Sequence, residues 1–221
     1  MASKKTQAVF FDLDGTLVDT APDMVGALLR LCDEEQQPYP NKQKARDIVS
    51  DGSLALVNLA FGLDQCEGAR HRRIDRFLIL YEKHICEGSG LFPGIKALLK
   101  KIESADIPWG IVTNKPDWLT RPLLQELNLE NRIVCRLSGD SLKQRKPHPA
   151  PLLAAAKAAE ANPNQCIYLG DAQRDIEAGN AAGMLTLTAL WGYIDKYESV
   201  KQWKANGDIE KPLQATEWIK F

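Results

Sequence analysis

Asp12 and Asp14 stand two residues apart after a short apolar run, Ala8-Val9-Phe10-Phe11, and Gly15 and Thr16 follow at once. In an extended chain, residues two apart point the same way. Two carboxylates on one side of a strand's exit repel each other unless a positive charge lies between them. A hard cation such as Mg2+ answers this need, because it takes oxygen ligands and leaves room for a substrate phosphate. Gly15 permits a tight backbone path, and Thr16 offers a hydroxyl and an N–H. Three later segments carry related chemistry. Residues 107–112 are apolar and end in Thr113-Asn114, which bring a hydroxyl and an amide. Arg145-Lys146-Pro147-His148-Pro149 sets a lysine before prolines, which bias it away from helix. Residues 166–169 are apolar and deliver Gly170-Asp171, with Asp175 one helical turn later.

Each of these side chains needs a rigid element behind it. From residue 94 onward, strand-like and helix-periodic segments alternate. Ile95, Leu98, Leu99 and Ile102 share a helix face, and 107–112 reads as a buried strand. Residues 117–127 read as a helix containing Pro122, 131–137 as holding a short strand, and 151–161 as an Ala-rich helix. A strand at 166–169, a helix at 176–182 closed by Gly183 and a strand at 185–190 follow. The tail reads as a polar loop around Trp203 and a short final helix at 213–219. Such alternation predicts an α/β fold with a parallel sheet, whose strand ends share one edge. Ligands bind beyond that edge, so the separate segments converge there.

Residues 18–90 break the alternation and read as helical throughout. Thr20-Ala21-Pro22-Asp23 is a helix start with Thr20 as its cap, and Asn41 can cap a second, short helix. Residues 54–61 are apolar enough for a buried helix, and Ile74, Phe77, Leu78, Tyr81 and Ile85 line one face of a longer one. The expected organisation is a core of 1–17 and 92–221 with a helical insertion at 18–91.

Composition excludes several classes. The 221 residues carry a net charge of −1 and are 44% hydrophobic, as in an ordinary soluble globular chain. There is no basic excess for nucleic acid, and no apolar run reaches the roughly 18 residues of a membrane span. The basic N-terminus lacks the apolar stretch of a signal peptide, so a cytoplasmic location is expected. The five cysteines are scattered without a C-x-x-C and read as reduced. His71, His84 and His148 lack metal-ligand spacing, and His148 reads as a helix-start residue.

Phe11-Asp12-Leu13-Asp14-Gly15-Thr16 resembles the first motif of the haloacid dehalogenase-like phosphohydrolase superfamily. Thr113, Lys146 and Gly170-Asp171…Asp175 resemble its second, third and fourth motifs, in order. The resemblance implies a Rossmann-like, doubly wound parallel sheet with an inserted α-helical cap that covers the active site. It implies a phosphoric monoester hydrolase in which Asp12 is the nucleophile that becomes phosphorylated and Asp14 the acid/base. Thr113, helped by the Asn114 backbone, the N–H groups after Asp12 and the side chain of Thr16, would hold the phosphoryl group. Lys146 would neutralise the acids. Mg2+ would be held by Asp12, the Asp14 carbonyl and Asp171, with Asp175 orienting its water shell or Lys146. A dehalogenase does not need an acid at position 14. A phosphomutase shares all four motifs, and a non-catalytic phospho-ligand binding protein would keep the fold.

Trp109-Gly110-Ile111-Val112-Thr113-Asn114-Lys115-Pro116 resembles the phosphoglycolate phosphatase group. Trp191-Gly192-Tyr193-Ile194 and the Trp203 region look closer to N-acetylmuramic acid 6-phosphate phosphatases of cell-wall recycling. The implied partner is a small phosphomonoester, acted on by a monomer or weak homodimer. Both substrates carry a carboxylate, so a cap cation is expected among Lys42, Lys44, Arg46, Arg70, Arg72, Arg73 and Arg76. Gly52 and Ser53, in the loop between these groups, are the expected cap contacts to substrate.

Overall fold

The computed structural model describes residues 5–63, 66–195 and 199–221. Residues 1–4, 64–65 and 196–198, which fall within the expected core and insertion, lie outside the described residues. Strands β1 (Ala8–Phe11), β4 (Trp109–Val112), β5 (Arg136–Leu137), β6 (Cys166–Gly170), β7 (Leu185–Ala189) and β8 (Gly207–Ile209) form one sheet. Between β1 and β4 in the chain lie β2 (Val18–Asp19) and β3 (Gly90–Leu91), which pair antiparallel with each other.

The order across the large sheet is β5-β4-β1-β6-β7-β8, and every neighbouring pair is parallel. The chain builds outward from β1 on one side, then crosses to β6 on the other. The strand order therefore reverses at β1, and the crevice at such a reversal is where an open α/β sheet binds ligand. Both faces of the sheet are covered, which is why its strands read as unbroken apolar runs. Val9, Phe11, Trp109, Ile111, Ile167, Leu169 and Leu187 face one core with α5 (Ile95–Ser104) and α6 (Asp117–Glu126). Ala8, Phe10, Val112, Cys166 and Tyr168 face the other with α7 (Ala150–Ala158) and α8 (Gln173–Ala181).

The insertion holds α1 (Ala21–Glu34), α2 (Lys42–Asp47), α3 (Gly52–Phe61) and α4 (Glu67–Lys83), and the β2–β3 pair spans its two ends. Asn41 caps α2 as expected, accepting from the Lys44 N–H at 3.0 Å. Thr20 does not cap α1 with its side chain. Its hydroxyl donates to Asp14 Oδ1 at 2.6 Å, a charged acceptor that outcompetes a backbone N–H, and the Ala21 N–H donates to the Tyr193 hydroxyl at 2.8 Å. In α3 only Leu56 and Val57 are buried, and Leu54 is exposed. The tail also departs from the reading. It contains strand β8, paired to β7, and its last turn, Pro212–Glu217, is a 3-10 helix. No helix among the described residues is long and apolar enough to cross a membrane.

Candidate active site

Strand β1 ends at Asp12, whose Oδ1 accepts the Leu13 N–H at 2.7 Å. The chain turns at Gly15, whose φ of +84° suits glycine. A methyl group there would lie 2.0 Å from Asp171 Oδ2, so the turn and the end of β6 are in direct contact. Asp171 follows β6 immediately. Its Oδ2 accepts from the Tyr193 N–H at 2.9 Å and the Ser50 hydroxyl at 2.8 Å, and its Oδ1 from the Thr16 hydroxyl at 3.0 Å. Asp175, in the first turn of α8, accepts the Ala172 N–H at 3.0 Å, which fixes the carboxylate at the helix start.

Lys146 is buried at the centre of this group. Its ammonium lies 2.9 Å from Asp12 Oδ1 and 2.7 Å from Asp175 Oδ1, and donates to the Val112 carbonyl and the Tyr168 hydroxyl, both at 2.9 Å. Asn114 holds the lysine's own backbone from both sides: Nδ2 donates to the Lys146 carbonyl at 3.0 Å and Oδ1 accepts its N–H at 3.1 Å. The side chain of Asn114, expected only to flank a phosphate, is thus what fixes the Lys146 loop. His148 accepts the Ala150 N–H at 3.1 Å, the helix-start role read from sequence.

Carboxylate oxygens of Asp12, Asp171 and Asp175 lie within 4.8 Å of one another, all buried. Burial first, then the charge of Asp175, pushes the Asp12 carboxyl up to about 6 against the pull of Lys146. Burial, then Asp12 and Asp175, pushes Asp171 up to about 7. Burial pulls the Lys146 ammonium down, but Asp12 and Asp175 raise it further, so it stays charged. Lys146 and the Arg174 guanidinium, which burial lowers but Asp175, Asp12 and Asp171 all raise, are two cations against three acids. An all-oxygen set short of positive charge fits a hard divalent cation at Asp12 and Asp171. Asp175 is already committed to Lys146 and to its helix.

Asp14 stands apart from that cluster. Its Oδ1 accepts from Thr20 and, at 3.0 Å, from the Lys115 ammonium. Burial pulls Lys115 down, while Asp14 and then Tyr81 raise it, and the net direction is upward. Lys115 has no role in the motif reading, although it directly follows Thr113-Asn114. Thr113 Oγ1 accepts the Lys115 N–H at 3.1 Å, which leaves its own O–H to donate. The N–H groups expected to cradle a phosphate are partly engaged, since Leu13 donates to Asp12 and Gly15 to the Val18 carbonyl at 3.1 Å.

Asp12, Asp14, Thr113, Asn114 and Lys146 open onto a cavity of about 530 Å³, and Gly52 and Ser53 line it from the insertion. Thr16 does not line it; its fully buried hydroxyl orients Asp171 instead. None of the seven insertion cations named from the sequence lines it either. Arg46 pairs with Asp19 at 2.8 Å, Arg73 with Glu35 at 2.7 Å and Arg76 with Glu34 at 2.5 Å. The cations that do line the cavity come from the core: Lys115, Arg145, Lys146 and Arg174. Arg174 also donates to the Ser50 carbonyl and sits 3.6 Å from Asp51, tying the insertion to the sheet.

A sequence profile described as haloacid dehalogenase-like hydrolase matches residues 9–189. The chain belongs to that family. Among curated relatives, this hydrolase is 41% identical over 212 residues to a phosphoglycolate phosphatase of Xanthomonas campestris pv. campestris, covering 96% of this chain and 95% of the relative. It is 36% identical over 211 residues to an N-acetylmuramic acid 6-phosphate phosphatase of Pseudomonas putida, covering 95% and 94%. A crystal structure described as a predicted phosphoglycolate phosphatase of Haemophilus somnus superposes with a TM-score of 0.87 at 24% identity, over 98% of this chain and 99% of that one. At that identity the superposition speaks to the fold alone. The reaction class read from the motifs, phosphoric monoester hydrolysis, agrees with the named relatives.

Proposed function

We propose that this hydrolase is a Mg2+-dependent phosphatase acting through an aspartyl-phosphate on Asp12, with N-acetylmuramic acid 6-phosphate as its substrate. The observation that carries the reaction is the placement of Asp12. It is a buried carboxylate at the floor of the cavity, held by Lys146 at 2.9 Å, with Asp14 two residues away on the same mouth. Asp12 attacks phosphorus as the P–O bond to the alcohol breaks, and Asp14 gives that oxygen a proton. Asp14 then takes a proton from the water that releases phosphate and restores Asp12. The Thr113 hydroxyl donates to a phosphoryl oxygen. Bound at Asp12 and Asp171, Mg2+ supplies the positive charge that lets an anion approach an anion. The helical insertion acts as the cap that keeps water out, on the β2–β3 hinge.

The size of the cavity favours the amino-sugar acid, since about 530 Å³ far exceeds what a two-carbon acid fills. The relatives at 41% identity favour a second reading, 2-phosphoglycolate. Phosphate release from both esters, compared as kcat/KM, decides between them. A sugar-phosphate preference would support a role in cell-wall recycling; the proposal also takes the enzyme as a cytoplasmic monomer or weak homodimer. A preference for phosphoglycolate sinks the size argument. Phosphoryl return to sugar without phosphate release would instead mark a mutase, and binding without turnover a silent phospho-ligand protein.

The metal has its own signature in stability. Asp12 at about 6 and Asp171 at about 7 both stand above the ordinary carboxylate value. The folded chain then holds protons that the unfolded chain has lost, so stability falls as pH rises through that window. Mg2+ relieves the repulsion that appears there. The Mg2+-induced rise in Tm is expected to be larger at pH 8 than at pH 5.5. An equal rise at both would remove Asp12 and Asp171 as the metal's ligands.

A further inference from the structure

Tyr81, on α4 of the insertion, is 0% exposed, yet its hydroxyl has no hydrogen-bond partner among the described residues. A buried orphan hydroxyl is uncommon and costs stability unless something fills the gap. Tyr81 is one of the residues that line the cavity. The Lys115 ammonium packs on the Tyr81 ring, 4.4 Å from its centroid, and also lies within reach of the hydroxyl, which helps hold it charged. Its other contact is Asp14 Oδ1 at 3.0 Å. An ammonium has three donors, and among the described residues the Lys115 ammonium meets Asp14 and the Tyr81 hydroxyl, which leaves a donor for a ligand. Burial pushes the Tyr81 hydroxyl up to about 12, so it is a donor at neutral pH. Leu78 and Leu119 line the same cavity and offer no competing acceptor from their side chains, and the Met24 sulfur, a weak acceptor, already meets the Thr20 hydroxyl at 3.9 Å.

We propose that the Tyr81 hydroxyl and the Lys115 ammonium form the subsite for a carboxylate carried by the alcohol part of the ester. The inference rests on the phosphatase reading, because Lys115 is tied to Asp14, the group that meets the leaving oxygen. Two clustered donors suit an anionic oxygen, and their position beside Asp14 puts that oxygen on the leaving group rather than on the phosphoryl group. Tyr81 comes from the insertion and Lys115 from the core, so the carboxylate bridges the two. Both esters considered above carry a carboxylate, on the carbon that bears the ester oxygen in 2-phosphoglycolate and on the lactyl ether at C3 in the sugar acid. A site directly beside Asp14 therefore matches 2-phosphoglycolate, and the sugar acid must fold its lactyl arm back to reach it.

The test uses pairs of esters with and without the acid: 2-phosphoglycolate against ethyl phosphate, in which a methyl replaces the carboxylate, and N-acetylmuramic acid 6-phosphate against N-acetylglucosamine 6-phosphate, which lacks the whole lactyl group. Tyr81→Phe keeps the ring under Lys115 and deletes only the orphan hydroxyl. The preference for the acid member, as a ratio of kcat/KM values, is expected to fall roughly tenfold or more, as for a hydrogen bond to a charged group. Tm without ligand should change little, because the ring, its packing and its contact with Lys115 remain. Equal loss on both members of each pair overturns the subsite, as does loss of the preference in Arg145→Gln with Tyr81→Phe unchanged. Calorimetric titration of 2-phosphoglycolate and ethyl phosphate into Asp12→Asn reads binding without turnover. A chain that binds the acid through Tyr81 but releases no phosphate would defeat the phosphatase reading and leave the subsite standing. Equal affinity for both esters defeats the subsite alone.

Discussion

Replacing Asp12 by asparagine is expected to lower kcat by roughly 10^4- to 10^6-fold, the scale on which loss of a nucleophile is felt. The amide keeps the size of the carboxylate and can still accept the Leu13 N–H, made at 2.7 Å in the parent. It cannot form an acyl phosphate of comparable reactivity. The fold should not suffer. Burial and Asp175 already disfavour the Asp12 charge, and Lys146 retains Asp175 at 2.7 Å. In chelator at pH 8, Tm is expected to hold or rise. A variant that keeps more than a hundredth of the parent kcat would show that Asp12 is not the attacking group. A variant that loses activity together with its melting transition would say nothing about chemistry, so both are measured on one preparation. Parent enzyme quenched in acid during turnover should carry hydroxylamine-labile phosphate, and the variant none.

Asp12, Asp171 and Lys146 were legible for a reason that is local. Each is fixed by a few adjacent residues, an apolar strand that ends or a proline that follows, and a parallel sheet then brings the strand ends together without further information. The residues that escaped notice act over distance. The Tyr193 hydroxyl meets the Ala21 N–H across 172 positions, and Ser50 meets Asp171 across 121. No spacing rule encodes such pairs. Thr20 was misread because residue type signals a cap, whereas the nearby Asp14 carboxylate is a stronger partner for its hydroxyl. β8 has three residues and no period of its own; it exists because β7 offers an edge. The insertion's arginines looked like ligands for a substrate acid by charge alone, but the nearest carboxylates of the fold take Arg46, Arg73 and Arg76. Leu54 shows the converse. Apolar type predicted burial, and the side chain is exposed on a helix that lines the cavity.

Lys146→Met carries the largest expected cost to the fold itself. Methionine matches the aliphatic length and deletes the charge, leaving Asp12 and Asp175 face to face in the core. Removing one member of a buried ion pair costs about 3–5 kcal/mol, because the partner is left uncompensated. For a chain of this size that is a fall in Tm of roughly 6–20 °C. The loss should be greatest in chelator at pH 8 and smaller at pH 5.5, where protons can replace the lysine on carboxyls already pushed upward. Activity should fall by about 10^2- to 10^3-fold, as when a single preorganised donor is withdrawn from a reacting anion. The double variant Lys146→Met/Asp175→Asn separates the two roles. With the unpaired charge of Asp175 gone, Tm should recover most of its loss, since contacting groups are strongly non-additive. Activity should not recover, because the ammonium that contacts Asp12 directly is still missing. Recovery of both would make Lys146 a purely structural counter-ion to Asp175, and the phosphoryl group would have to rely on the metal and Thr113 alone.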